Sequence, residues 1–381
     1  MMKVVQKLFK NGHFMPATGD TLSSNSKKLV LGFGSKILLQ NDTIFKHLQQ
    51  DYPQSDIVLC STAGEIYNDS VYDDTVSVVA IEFEKTHFTT LSINIKDQPN
   101  SFEAGKLLFT QLSFLGNLSY VLIISDGGLV NGSELVRGIE EINHGNIPVT
   151  GGLAGDAARF ISTLVGYNQS PTEGNIVAIG FYGNDLKIAH GSMGGWEIFG
   201  PEKKVTRSVA NRLYEIDNGS ALDLYKKYLG KYADELPGSS LLFPLCVRLE
   251  GQEGYLVRTI LSINEHEKEM VFAGDIPEGA YVRFMKANFD RIIDAANQAA
   301  NNTLVQFNAT SKPKLALLIS CVGRKLILSK RVDEEIETVK DIFGNETVIT
   351  GFYSYGEISP LSAHTKCELN NQTMTITTFN E

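Results

Sequence analysis

Arg324 closes the run Ser320-Cys321-Val322-Gly323-Arg324, directly after the apolar stretch Leu315 to Ile319. A guanidinium at the end of a buried strand can grip a carboxylate through two parallel hydrogen bonds, which suits an amino-acid ligand. The same group can instead close an internal salt bridge, with Glu357 as one partner. Further on, Val348-Ile349-Thr350-Gly351 leads into Phe352-Tyr353-Ser354-Tyr355-Gly356-Glu357-Ile358-Ser359-Pro360. In an open sheet, residues just past the carboxyl end of a strand line the crevice where ligands sit. Tyr353 and Tyr355 alternate, so on a continuing strand they point to opposite sides, and one at most faces a given cleft. Glu357 could take a ligand ammonium. Glu65, in the similar run Ala63-Gly64-Glu65-Ile66, could do the same or orient a turn. Asp156, after Gly151, Gly152 and Gly155, can cap a helix or hold its own loop through backbone N–H groups. The stretch reads either as a recognition surface or as a tight turn with packed aromatics.

Catalytic equipment is sparse. A nucleophile elbow would need glycine where Phe352 stands. His266-Glu267-Lys268-Glu269-Met270 starts like a zincin helix but lacks the second histidine. Gly151 to Asp156 matches neither dinucleotide nor P-loop spacing. Cys60 and Cys321 end buried strands with no histidine nearby in sequence. A cysteine-dependent enzyme, with its histidine brought close by the fold, stays open as a remote reading.

The 381 residues carry a net charge of −10 at pH 7, with the acidity spread along the chain. That balance argues against nucleic acid, whose phosphates need a cationic face. Four isolated cysteines, with no CxxC pair, suit a reducing compartment without a zinc site. Apolar runs are strand-sized, far below the roughly 20 residues that span a bilayer. A soluble, cytoplasmic protein is expected.

Helical and strand patterns alternate throughout, as in a mixed α/β (α+β) chain. Helices are predicted over 41–50, 102–114, 133–142, 221–232, 289–300 and 333–343. Strand pairs are predicted at 76–83 with 88–95 and at 176–182 with 186–192. Residues 205–216 read as one strand. The halves repeat: Phe102 and Phe289 open helices 187 apart, strands end at Ser125 and Ser320, 195 apart, and Thr150-Gly151 and Thr350-Gly351 are 200 apart. Two related modules with mixed sheets flanked by helices follow, with two related clefts or one shared cleft.

Several segments, in order, resemble the FIST family of bacterial sensory domains. They are Cys60 to Ile66, Gly151 to Asp156, Ala178 to Tyr182, Asn211 to Asp217, Cys321 to Arg324, Gly351 to Pro360 and Asn371-Gln372-Thr373-Met374-Thr375. Asn370 stands where a histidine is common in the family. The resemblance implies an N-terminal extension over 1–27, a FIST N-like domain over 28–200 and a FIST C-like domain over 201–381. It implies ligand sensing rather than catalysis, with amino acids among the ligands. Output would pass in trans to a partner such as a histidine kinase. Read from the residues themselves, the candidate ligand contacts are Arg324, Tyr353, Tyr355, Glu357, Ser320, Cys321, Glu65 and Asp156.

Some stand-alone relatives are described as haem-binding nitric-oxide sensors, which makes haem an alternative. Haem needs an axial histidine on a packed element. His190, on a predicted strand before Gly191, is the candidate, with His364 after the Gly356 to Pro360 turn as another. Trp196, the single tryptophan, lies between Gly194-Gly195 and Gly200-Pro201. It either anchors the halves across a hinge or packs in a rigid core.

Overall fold

The computed structural model describes residues 1–24, 26–251, 254–307, 312–360 and 365–381. Three units share one connectivity. The first comprises β1 (Lys3–Lys10), β2 (Leu29–Gly34), α1 (Thr43–Asp51), β3 (Asp56–Ser61), β4 (Glu65–Tyr67) and β5 (Val76–Glu82). The second comprises β6 (His87–Asn94), α2 (Ser101–Phe114), β7 (Leu118–Ser125), α3 (Gly132–Asn143), β8 (Val149–Leu153), β9 (Val165–Tyr167) and β10 (Asn175–Tyr182). The third opens with β11 (Lys187–Met193) and then takes an insertion. That insertion holds β12 (Glu197–Val209), β13 (Arg212–Ile216), α4 (Ala221–Leu229), β14 (Leu245–Arg248), β15 (Leu256–Arg258), β16 (Ile260–Asn264), β17 (Glu269–Phe272) and β18 (Tyr281–Lys286). The unit resumes with α5 (Phe289–Gln306), β19 (Leu315–Cys321), α6 (Val322–Leu328), α7 (Val332–Phe343), β20 (Val348–Ser354), β21 (Gly356–Pro360), β22 (Cys367–Asn370) and β23 (Met374–Asn380).

In each unit a parallel pair (β2 with β3, β7 with β8, β19 with β20) is joined by a helical crossover, and a return strand lies antiparallel on its first member. Parallel neighbours need such a crossover, whereas the return strand does not. The short strand after each parallel pair leaves its own unit. β4 joins the third sheet on β20, β21 joins the second on β8, and β9 joins the first on β3. The exchange is cyclic, so every sheet is completed by another unit.

The inner faces of all three sheets meet in one core. Leu31, Phe33 and Val79 pack there with Tyr120, Ile124, Ile179, Leu317, Ile319 and Phe352. Phe33 and Phe352 stack with centroids 4.9 Å apart. Helices cover the outer faces: α1 the first sheet, α2 and α3 the second, α5 and α7 the third. Thr150-Gly151 and Thr350-Gly351 echo one another because both glycines sit in strands at φ +157° and +155°. A Cβ there would strike the carbonyls of Ile123 and Leu318 in the paired strand, so only glycine fits.

The repeat read from the offsets is present, and the first unit adds a third copy. Three expectations need correction. The strands at 76–83 and 88–95 do not pair: β5 lies in the first sheet and β6 in the second. Likewise β10 pairs with β7 and β6, while β11 pairs with β23. Alternating side chains mark a strand without naming its neighbour. Residues 205–216 form a hairpin, not one strand, because the chain reverses at Ala210-Asn211 with Ala210 at φ +50°. Residues 1–27 supply β1, which pairs with β5 from Lys3 to Phe9.

The insertion forms one sheet, ordered β15-β14-β18-β12-β13-β17-β16, wrapped on α4 through Leu213, Leu222, Tyr225, Phe272 and Phe284. Trp196 ties it to the third unit. Its indole N–H donates to the Gln372 carbonyl at 2.9 Å, and its ring packs with Cys246, Val257 and Met285 of the insertion and Ile292, Ile327 and Leu328 of the third unit.

Candidate functional site

A cavity of about 390 Å³ opens at the carboxyl ends of β7 and β8, between the second unit and the inserted sheet. Two buried aspartates shape its rim. Asp126, just past β7, accepts from the amides of Gly128 (2.8 Å) and Leu129 (2.6 Å), the Thr163 hydroxyl (2.9 Å) and the Gly174 amide (3.0 Å). It thereby folds the turn into α3, whose N-cap Asn131 accepts from the Glu134 amide at 3.1 Å. Asp156, past β8, accepts from the amides of Phe160 (2.8 Å), Ile161 (3.1 Å) and Ser162 (3.2 Å). Its carboxylate also takes the Tyr355 hydroxyl. The Tyr355 ring stacks on Phe160 with centroids 4.5 Å apart. Gly127 lets the rim lie against the Ala154 carbonyl, which a Cβ would strike.

The facing wall belongs to the insertion: Leu261 after the start of β16, and Phe272 to Asp275 at the end of β17. Asp275 is bound across the gap. Its backbone N–H donates to the Ser133 hydroxyl at 3.3 Å, and its carboxylate faces Asn131 Nδ2 at 3.5 Å. Behind it, buried Arg258 donates to the carbonyls of Asp275 (3.1 Å) and Leu369 (2.8 Å). Burial pulls that guanidinium down to about 10. Asp275 is the single charged residue among those lining the cavity. Ile161, Leu129, Phe160 and Leu261 leave apolar surface open at its mouth, being 76%, 49%, 47% and 43% exposed. A pocket of mixed polar and apolar lining, with one carboxylate and the amino end of a helix, can hold a small molecule that has an apolar body and a polar end.

Of the residues expected from sequence, Tyr355 lines this cavity and Asp156 lies directly beneath it. The others are packed elsewhere. Arg324 is fully buried in α6 and pairs with Glu335 of α7, donating through Nε (3.0 Å) and Nη2 (2.8 Å). It also donates to the carbonyls of Gly194 (2.6 Å) and Ile292 (2.8 Å). The internal ion pair is therefore made, to Glu335 rather than to Glu357. Tyr353 joins it, its hydroxyl donating to Glu335 at 2.6 Å, and the Ser320 hydroxyl donates at 3.3 Å.

Glu357 accepts from the Ser354 hydroxyl (2.6 Å) and from the Thr373 amide (3.1 Å) and hydroxyl (2.9 Å). Glu65 repeats the pattern with Thr62 (2.6 Å) and Thr75 (3.1 and 2.9 Å). Each ties an exchanged strand to the return strand of its own unit. Burial pushes Glu357 up to about 8 and Glu65 up to about 7, against hydrogen bonds that favour the charged form. In the second unit the corresponding carboxylate, Asp156, instead holds the 160–162 loop. That difference opens the crevice there.

Cys321 and Cys60 are fully enclosed, and burial pushes both thiols well above the usual range. A nucleophile needs the opposite shift. His190 lies on β11 with its ring buried, and desolvation lowers the pKa of its imidazole. Gln306 brackets its backbone at 3.2 and 2.7 Å, and a Cβ on Gly191 would strike the Ala299 carbonyl of α5. A porphyrin at His190 would require β11 and α5 to part, so the surroundings do not fit haem. His364 lies outside the described residues.

The residues that the sequence did not offer were Phe160, Ile161, Leu261 and Asp275. Asn131 carried a signal, since Asn131-Gly132-Ser133-Glu134 is an N-cap pattern.

The FIST N domain model matches residues 28–219, and the FIST C domain model matches residues 221–360. The chain belongs to the FIST family. FIST domains are sensory domains of signal transduction. No curated protein matches the chain. Among solved structures, PurLQS from Thermotoga maritima is 8% identical over 84% of this chain and 74% of that one, with a TM-score of 0.19, too low to bear on the fold.

Proposed function

We propose that this FIST protein is a cytoplasmic sensor that binds a small amine-bearing ligand, an amino acid, in the cleft between its second unit and its inserted sheet. The supporting observation is the lining: one carboxylate, Asp275, beside the amino end of α3, within an otherwise uncharged wall of mixed polar and apolar residues. Asp275 would take the ligand ammonium. The first amides of α3 would take its carboxylate, and Phe160, Ile161 and Leu261 its side chain. Four buried, free cysteines are in keeping with a reducing compartment. No helix among the described residues is long and apolar enough to cross a membrane.

Signalling in trans to a partner such as a histidine kinase requires the ligand to prefer one of two conformations. The cleft suits this, because its two walls belong to different bodies, the second unit and the insertion, bridged at Asp275 by Ser133 and Asn131. A thermal-shift screen of amino acids tests the reading. A ligand at a hundredfold excess over its dissociation constant stabilises by about 2.7 kcal/mol. An absence of any shift across the amino acids at millimolar concentration would remove the amino-acid assignment.

A further inference from the structure

Phe160 stands where a bulky side chain is seldom found. Its backbone is left-handed, at φ +54°, and Ala157 in the same loop is at φ +62°. A large residue in that region is an outlier, and such outliers cluster at functional sites. The loop so bent lays the Phe160 ring on Tyr355, with centroids 4.5 Å apart and planes 19° from parallel. The stack is fixed from below. The Phe160 amide donates to Asp156 (2.8 Å) and to the Tyr355 hydroxyl (3.0 Å), while that hydroxyl donates to the Asp156 carboxylate. One ring face is covered by Tyr355, yet Phe160 lines the cavity and stays 47% exposed. The cleft thus holds an aromatic platform with a free face, set in place before any ligand arrives, which lowers the ordering cost of binding.

The charges of the wall narrow what can lie on that platform. Asp275 is the one charged residue of the lining, and the ligand ammonium takes it in the reading above. A carboxylate on the ligand side chain would find no cation there. A second ammonium or a guanidinium would find no second carboxylate, since Asp156 is engaged by three amides and Tyr355. An unpaired charge moved out of water is costly. Size narrows the class further. The cavity of about 390 Å³ lies in the range of roughly 300–1,000 Å³ that small organic ligands fill, and alanine would leave much of it to water. A flat ring on the free face of Phe160 gains stacking beyond the area it buries. Resting on the amino-acid reading of this cleft, we infer that its ligand class is the aromatic amino acids, with Phe160 as the specificity-determining residue.

The test is calorimetric titration of the full chain with L-phenylalanine, L-leucine, L-alanine, L-glutamate and L-arginine, for wild type and for Phe160→Leu. Wild type should bind L-phenylalanine about fivefold more tightly than L-leucine, the scale of one aromatic pair, and the other three more weakly still. Phe160→Leu keeps the backbone hydrogen bonds and an apolar side chain, and should bring L-phenylalanine and L-leucine close to equal. A ratio of two affinities within one protein does not move when the loop merely loosens. L-Leucine or L-arginine bound by wild type as tightly as L-phenylalanine would overturn the aromatic class and leave the amino-acid reading standing. A ratio unchanged in Phe160→Leu would overturn the role of Phe160. If no amino acid binds at all, this inference falls together with the reading it rests on.

Discussion

The buried carboxyl of Glu357 makes a pH dependence that one substitution should erase. Its folded pKa is raised from 4.5 to about 8, chiefly by burial. The folded chain therefore keeps a proton that the unfolded chain gives up, and stability falls as pH rises through that window. Each pH unit inside it corresponds to about 1.4 kcal/mol. Glutamine mimics the protonated acid. Its carbonyl can accept from the Thr373 amide and hydroxyl, and its amide can donate to the Ser354 oxygen. Between pH 5 and pH 7, wild type should then lose about 3 kcal/mol relative to Glu357→Gln. The two should be closest in stability at the acid end. Urea unfolding of both proteins at each pH measures the difference. A gap that stays constant within about 0.5 kcal/mol, the ordinary scatter of surface effects, would mean that Glu357 is ionised in the fold and that burial does not dominate.

Other outcomes follow from the same structure. Arg324→Met alone should destabilise by about 3–5 kcal/mol, because it leaves Glu335 charged and unpaired in the core; chemical denaturation checks this, and Glu335→Gln in the same chain should restore part of the loss. Gly351→Ala should abolish soluble expression or lower the melting temperature sharply, since its Cβ meets the Leu318 carbonyl. Asn131→Ala should cost about 1 kcal/mol as a lost N-cap, and should also weaken any ligand held by the cleft. Trp196 emission should shift when the cleft is occupied if the inserted sheet moves on the third unit. An unchanged spectrum would leave Trp196 as a fixed anchor.

Much of the fold was legible because its signals are local. The expected helices start within two residues of their observed starts, since Asn100, Asn131, Ser220 and Asn288 each cap the start of a periodic segment, while α5 runs on to Gln306 past the expected end at residue 300. The Thr-Gly echo and the Glu65 and Glu357 echo were traces of true repeats. Strand partners were not legible. The cyclic exchange of β4, β9 and β21 is a long-range choice, and no local pattern encodes it. The same limit explains the site. Arg324, Tyr353 and Glu357 looked like ligand groups because strand ends usually face a crevice, yet in the third unit that crevice is filled by Glu335, Thr373 and Gln372. Tyr355 and Asp156 come together from residues 199 apart. Asp275 reaches the cleft only because the insertion folds back onto α3.

The proposed ligand position lies between Asp275 and the Phe160–Tyr355 pair. The most direct measurement is the dissociation constant of the best amino acid from the screen, for wild type and for Asp275→Asn, by calorimetry on the full chain. A loss of at least tenfold, about 1.4 kcal/mol, is expected in Asp275→Asn. An affinity left unaltered by Asp275→Asn would place the ligand elsewhere and rule out Asp275 as its counter-charge.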